Sequence, residues 1–133
     1  MASTDPVSDL LAAVSNASRA YLDTALVPHS AYKQNILKIL QEEGFIRAWR
    51  AVGKEPQSRR LEVSMHYGPN RERLLNGVRR VSRPGRRVYV GLEQLKPYLH
   101  RLEVALLSTP QGVLTGPQAF ARKTGGELLC LVW

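Results

Sequence analysis

The chain has 133 residues, an apolar fraction of 44%, and 19 Lys/Arg against 11 Asp/Glu, giving a formal charge of +8 and a pI near 10.2. That apolar fraction supplies the core of one compact domain or two very small ones and excludes wholesale disorder, while the charge calls for a polyanion, nucleic acid before an acidic membrane surface. The single cysteine, Cys130, excludes an intramolecular disulfide framework, and no apolar run of about 18 residues is available to span a bilayer. The N-terminus has no basic, apolar leader, so a cytoplasmic location is expected.

Asp5 and Pro6 open a first helix, Asp5 as cap and Pro6 at the first position, where its missing N–H costs nothing. Val7, Leu10, Leu11, Val14, Ala17 and Tyr21 then recur at spacings of mostly three and four and form one apolar face, with Asn16 and Arg19 off it. Residues 24–27 predict a short strand that ends at Pro28. Ser30 caps a second helix with Ile36, Leu37 and Leu40 as its buried stripe and Gly44 just past its end. Lys33 and Lys38 are left for solvent or a partner. Residues 45–52 and 60–67 predict two strands joined by a polar hairpin, the second alternating Leu61, Val63, Met65 and Tyr67.

Gly68-Pro69-Asn70 marks a boundary. It divides an α-β-α-β-β N-terminal lobe (1–67) from a mostly-β C-terminal lobe with a short helix (68–133), an α+β fold class. Strands at 74–81 and 87–90 flank the turn Ser82-Arg83-Pro84-Gly85-Arg86. One helical turn at 92–96 precedes Pro97, and strands follow at 102–108 and 112–114. Thr115 caps a brief helix broken by Gly125-Gly126. The last stretch, 127–133, is apolar on both faces and is therefore expected at the centre of its sheet.

Charge is unevenly placed. Residues 1–66 hold eight bases and seven acids (+1), and residues 67–133 hold eleven bases and four acids (+7). Within the second set, residues 71–87 carry seven arginines and one glutamate. Guanidinium groups grip phosphates in a bidentate way and stack on bases. Pro84 fixes its own φ and Gly85 is free to take a positive one, so the arginine turn has a defined shape. A second feature is Ser108-Thr109-Pro110-Gln111-Gly112-Val113, where two hydroxyls, a tight turn and a glycine suit the shallow minor groove of A-form RNA.

Catalytic constellations are not visible. His29, His66 and His100 have no metal-pair spacing, Ser108 has no nucleophile elbow, and no phosphate-cradling loop exists. Glu42-Glu43 reads as a solvated pair at a helix end. Cys130, flanked by Leu128, Leu129, Leu131 and Val132, reads as a buried, inert thiol. No enzymatic role, metal, cofactor or small-molecule substrate is expected.

These segments together resemble a known family. The stretches 105–115 (Ala-Leu-Leu-Ser-Thr-Pro-Gln-Gly-Val-Leu-Thr) and 125–133 (Gly-Gly-Glu-Leu-Leu-Cys-Leu-Val-Trp) are similar to the C-terminal signature of bacterial small-subunit ribosomal protein eight. Thr4-Asp5-Pro6-Val7-Ser8-Asp9, Lys33 with Glu42-Glu43-Gly44-Phe45-Ile46, Tyr67-Gly68-Pro69 and Val81-Ser82-Arg83-Pro84-Gly85-Arg86-Arg87-Val88-Tyr89 agree in order along the chain. The resemblance implies a primary binder of the 16S ribosomal RNA central domain in the 30S subunit, located in the cytoplasm. It places Ser108, Thr109, Gly112 and Glu127 at a bulged RNA helix, with Tyr89, Arg83, Arg86 and Arg87 beside them. Asp5, Asn16 and Lys33 are placed at a neighbouring helix. Small-subunit proteins five and twelve are the implied protein neighbours, and some members repress their own messenger. The chain departs from the pattern at Pro110-Gln111, where many members have Ser-Lys, and at His100-Arg101-Leu102-Glu103, where they have Asn-Gly-Leu-Gly.

Three rival readings remain on sequence grounds. A free translational regulator would not co-sediment with 30S particles. An RNA-modifying enzyme would need a cofactor loop or an acid–base pair. A membrane-surface binder fits poorly, because the opening helix carries one base, Arg19.

Overall fold

A computed structural model of the chain describes residues 5–133; Thr4, the first residue of the N-terminal motif, lies outside them. The α+β class and the two-lobed arrangement both hold. The chain divides into two compact units, Pro6–Asn76 and Gly77–Trp133, and Asp5 groups with the second.

In the first unit, α1 (Pro6–Arg19), β1 (Thr24–Pro28), α2 (Ala31–Glu42), β2 (Ile46–Val52) and β3 (Arg60–Met65) follow in order, and the three strands form an antiparallel sheet β1-β3-β2. Val7, Leu10, Leu11, Val14 and Ala17 of α1 are buried, as are Ile36, Leu37 and Leu40 of α2 and Leu61, Val63 and Met65 of β3. Ser30 caps α2 by accepting from the Lys33 N–H at 3.4 Å, and Gly44 takes φ +84° beyond its end. Tyr21 does not join the α1 face. The Leu22 N–H bonds back to the Ala17 carbonyl at 2.9 Å, and Tyr21 sits past the helix end at φ +54°, 42% exposed. Its ring lies 5.6 Å from that of Tyr67, whose hydroxyl donates to the Leu22 carbonyl at 2.7 Å.

Residues 68–76 belong to this first unit, so the division falls nine residues beyond Tyr67, where the sequence placed it. Arg73 is the reason. Its Nε and Nη2 donate to the carbonyls of Ser18 and Arg19, at 3.0 and 2.8 Å. Leu75 is buried next along, and its carbonyl accepts from the buried Ser18 hydroxyl at 2.7 Å. Gly68-Pro69-Asn70 is thus a turn within a unit, and the strand expected from residue 74 begins only at Val78.

The second unit contains β4 (Val78–Arg80), β5 (Tyr89–Val90), α3 (Leu92–Leu95), β6 (Val104–Thr109), β7 (Gly112–Thr115), α4 (Gly116–Ala121) and β8 (Gly126–Val132). The strand order is β4-β8-β6-β7, with β5 also paired to β8. β8 is therefore central, and Leu128 to Val132 are all buried, as two apolar faces require. Leu95, Ala105, Leu107, Leu114, Ala119, Leu128 and Leu131 form the core. Leu102 is 94% exposed, so the strand expected from residue 102 starts at Val104.

Thr115 caps α4 as expected, accepting from the Gln118 N–H at 3.2 Å. The glycine pair that follows has another role than stopping the helix, which has already ended at Ala121. A Cβ on Gly126 would stand 2.3 Å from the Ser108 carbonyl oxygen, and one on Gly125 would stand 2.4 Å from that of Val90. Both glycines let neighbouring strands approach β8. Gly126→Ala should accordingly cost about 1–3 kcal/mol through enforced strand displacement. A urea titration of the RNA-free protein measures this, and a wild-type midpoint would contradict it.

Candidate nucleic-acid interface

The arginine loop is built from its neck. Ser82 is fully buried; its N–H donates to the Leu128 carbonyl at 3.1 Å, and the Leu128 N–H donates to the Val88 carbonyl at 2.9 Å. The Val88 N–H donates to the Ser82 hydroxyl oxygen at 3.1 Å, and that hydroxyl donates to Glu127 Oε2. Both ends of the loop are therefore fixed to one residue of the central strand. At the tip, Arg83 and Arg86 exchange backbone hydrogen bonds of 3.1 and 2.9 Å around Pro84-Gly85. Gly85 is not among the positive-φ glycines, which are Gly44, Gly53 and Gly112. Pro84 and the reciprocal backbone pair close the turn without the left-handed conformation expected of Gly85.

Four of the seven clustered arginines are engaged within the protein. Arg71 and Arg73 stack on Tyr67 and Tyr21, 5.0 and 4.2 Å from the ring centres. Arg80 bonds Asp5 at 3.1 Å and the Leu129 carbonyl at 2.6 Å, with both charged side chains largely buried. Arg87 pairs with Glu127 at 3.0 Å, and this hydrogen bond and charge raise its pKa further above the ordinary arginine value. Arg79, Arg83 and Arg86 are exposed, and no described residue engages their side chains.

Strand register assembles the second part of the site. Tyr89 of β5, Glu127 of β8, Ser108 of β6 and Val113 of β7 are successive partners across the sheet. Directly opposed residues share a face, so these side chains form a row. Tyr89 is 70% exposed, Ser108 is half-buried, and the Glu127 side chain is 14% exposed. Thr109 lies beside the row, opposite Gly112, but its hydroxyl serves the turn. It donates to the Gly112 carbonyl at 2.8 Å and accepts from the Gln111 N–H at 3.1 Å. Gly112 takes φ +109°, which favours glycine there.

Tyr89, Ser108, Thr109, Gly112 and Glu127 thus gather at one end of the second sheet, and Arg87 ties Glu127 to the loop that carries Arg83 and Arg86. Asn16 and Lys33 belong to the first unit. Asn16 Oδ1 accepts from Arg19 at 2.7 Å. Lys33 is not solvent-facing as expected. It is buried, with its ammonium donating to the Pro28 carbonyl at 3.3 Å, because its long stem lies in the core and its charge is satisfied locally. Asp5 is held by Arg80. Sequence reasoning missed Ser82, which looks like any loop serine until the neck is formed. It also missed exposed Arg122 and Lys123, which lie just before β8.

A family model described as ribosomal protein S8 matches residues 5–133. The small ribosomal subunit protein uS8 of Parafrankia sp. (strain EAN1pec) is 47% identical over 135 residues, covering all of both chains. That of Streptomyces griseus is 44% identical over 133 residues, again covering both completely. That of Thermus aquaticus is 43% identical over 137 residues, covering 98% of this chain and 99% of the relative.

Cys130 is fully buried at the middle of β8, and burial pushes its pKa from 9.0 up to about 12. The folded state therefore favours the neutral thiol. Its contribution to stability is intact below pH 9 and is lost as pH rises towards 12. At pH 8 a thiol reagent should leave native protein unlabelled and label one site in denaturant. Rapid labelling of native protein would contradict the inert assignment.

Proposed function

The chain belongs to the ribosomal protein S8 family, which makes it a structural, non-enzymatic protein of the small ribosomal subunit, and we propose that it binds the central domain of 16S ribosomal RNA and helps that domain assemble. The observation that carries this reading is the Tyr89–Glu127–Ser108 row, set beside an arginine loop pinned to the same strand. The two parts divide the work. Arg83 and Arg86, with Arg79 behind them, supply phosphate attraction that weakens with salt. The row supplies groups that read groove shape and sugar or base edges, where RNA is accessible to side chains. Ser108 carries the hydroxyl that no described residue uses, so it replaces Thr109 as the leading direct contact, with Thr109 and Gly112 shaping the turn.

Asn16 of the first unit is assigned to a neighbouring RNA helix. The Lys33 ammonium and the Asp5 carboxylate are each engaged within their own unit, by the Pro28 carbonyl and by Arg80, so neither is assigned a direct RNA contact. The protein works in the cytoplasm, within the ribosome, beside small-subunit proteins five and twelve. The same surface would accept a similar element in its own messenger and so allow autoregulation.

Two variants test the division. The Arg83→Ala/Arg86→Ala variant should lower the slope of log K against log salt by roughly 0.7–0.9 per phosphate contact removed, read by filter binding to a central-domain transcript. An unchanged slope contradicts phosphate contact. Ser108→Ala should weaken that transcript by about 1 kcal/mol and leave an unrelated RNA duplex unaffected. Equal losses on both would remove Ser108 from recognition.

A further inference from the structure

We propose that the open face of the sheet in the first unit docks an extended polypeptide, which seats one carboxylate between Arg47 and Arg71 and rests an apolar side chain on Leu26. Helices α1 and α2 pack against the face of β1-β3-β2 that carries buried Val27, Leu61 and Val63. Alternation puts Thr24 and Leu26 on the other face, with Ser64 and Glu62 opposite them on β3, and Ala48 and Arg50 beyond on β2. Leu26 is 63% exposed there. At the end of this face lies a cavity of about 540 Å3, whose lining includes Asp23, Thr24, Arg47, Ser64, Pro69 and Arg71.

Two backbone irregularities bring the arginines to the cavity. In β2, Ile46 stands opposite Met65 and Ala48 opposite Ser64, so Arg47 is the extra residue of a bulge and escapes the regular alternation. Arg71 takes φ +60°, a conformation that residues with a Cβ rarely adopt, and its N–H donates to the Gly68 carbonyl at 2.9 Å. Its Nη2 donates to the Tyr21 carbonyl at 3.2 Å, and Nη1 lies 3.9 Å from the exposed Asp23 carboxylate. No described residue engages the Arg47 side chain or the hydroxyls of Thr24 and Ser64. The cavity thus offers unused donors around one net positive charge, two guanidinium groups against Asp23, and a single carboxylate neutralises it.

The neighbouring row selects the class of partner. Leu26 and the Glu62–Arg50 pair stand two residues along the strands from Thr24 and Ser64, a step of about 7 Å. A nucleic-acid backbone carries a charge at every nucleotide, and its further phosphates would meet an exposed leucine and a carboxylate. An extended peptide instead alternates its side chains with the period of the sheet beneath it. An acidic residue in the cavity therefore sets the residue two positions away over Leu26.

Site-directed cross-linking in assembled small subunits tests this. Arg60→Cys, opposite Pro28 and on the same face, carries a benzophenone beside the Leu26 row, while native Cys130 is buried. Small subunits reconstituted with the labelled protein are irradiated and sedimented, and mass spectrometry identifies what is joined to it. The expected product is one protein segment with Asp or Glu two positions from an apolar residue. Arg47→Glu should lose most of that product while the protein stays in the particles, since Arg47 engages no described residue of its own chain. Arg47→Lys should keep it, and exchanging the partner's acid for arginine should restore it to Arg47→Glu. Cross-links to RNA alone, no cross-link at all, or a product that survives Arg47→Glu unchanged overturns the proposal. Because only particles that hold the protein are read, a failure of the central-domain assignment shows as absent protein and is distinguished from these outcomes.

Discussion

The Ser82 hydroxyl joins the two halves of the candidate interface. It closes the neck of the arginine loop by accepting from Val88, and it reaches the sheet by donating to Glu127. Hydrogen bonds of this kind contribute about 1 kcal/mol each, and more to a charged partner, but a buried group left unpaired costs about 1–3 kcal/mol. Neither the loop nor the carboxylate can move without breaking that junction. The arginine tip is consequently presented from the strand that forms the centre of the second sheet, and loop placement follows the most deeply buried segment in that unit.

Charge is used more selectively than the sequence suggests. Seven arginines lie between residues 71 and 87, yet Arg71, Arg73 and Arg80 hold the protein together through tyrosine rings, backbone carbonyls and Asp5. Arg87 is shared between the fold and the site. Within this cluster, Arg79, Arg83 and Arg86 keep exposed side chains that no described residue engages, and Arg122 and Lys123 are exposed before β8. Pro110 and Gln111 fit the hairpin's hydrogen bonding. The turn uses the Gln111 N–H and the Gly112 carbonyl, and needs no donor from residue 110.

Local periodicity made most elements legible: α1, α2 and β3 carry their buried faces at the spacing read from the chain, and the apolar run before Trp133 is the central strand. What failed was non-local. Tyr21 has helical spacing but lies past the helix end, where Leu22 closes onto Ala17. Lys33 reads as a surface cation until its stem is found in the core. Gly125-Gly126 reads as a helix stop until β6 and β5 are brought against it. The candidate site was legible as a set of residues through an ordered family resemblance. Its geometry was not, because the alignment of Tyr89, Glu127 and Ser108 depends on register between strands far apart in sequence.

Directed cleavage offers the most direct test of the central claim that this end of the second sheet faces the central domain of 16S ribosomal RNA. Gln111→Cys places a thiol at the exposed hairpin tip, while the native Cys130 is buried and protonated. An iron chelate attached there, with protein bound to intact small-subunit RNA, should produce hydroxyl-radical cuts clustered around one helix of the central domain. Cuts dispersed over several domains, or none above background while the protein remains bound, would contradict the account.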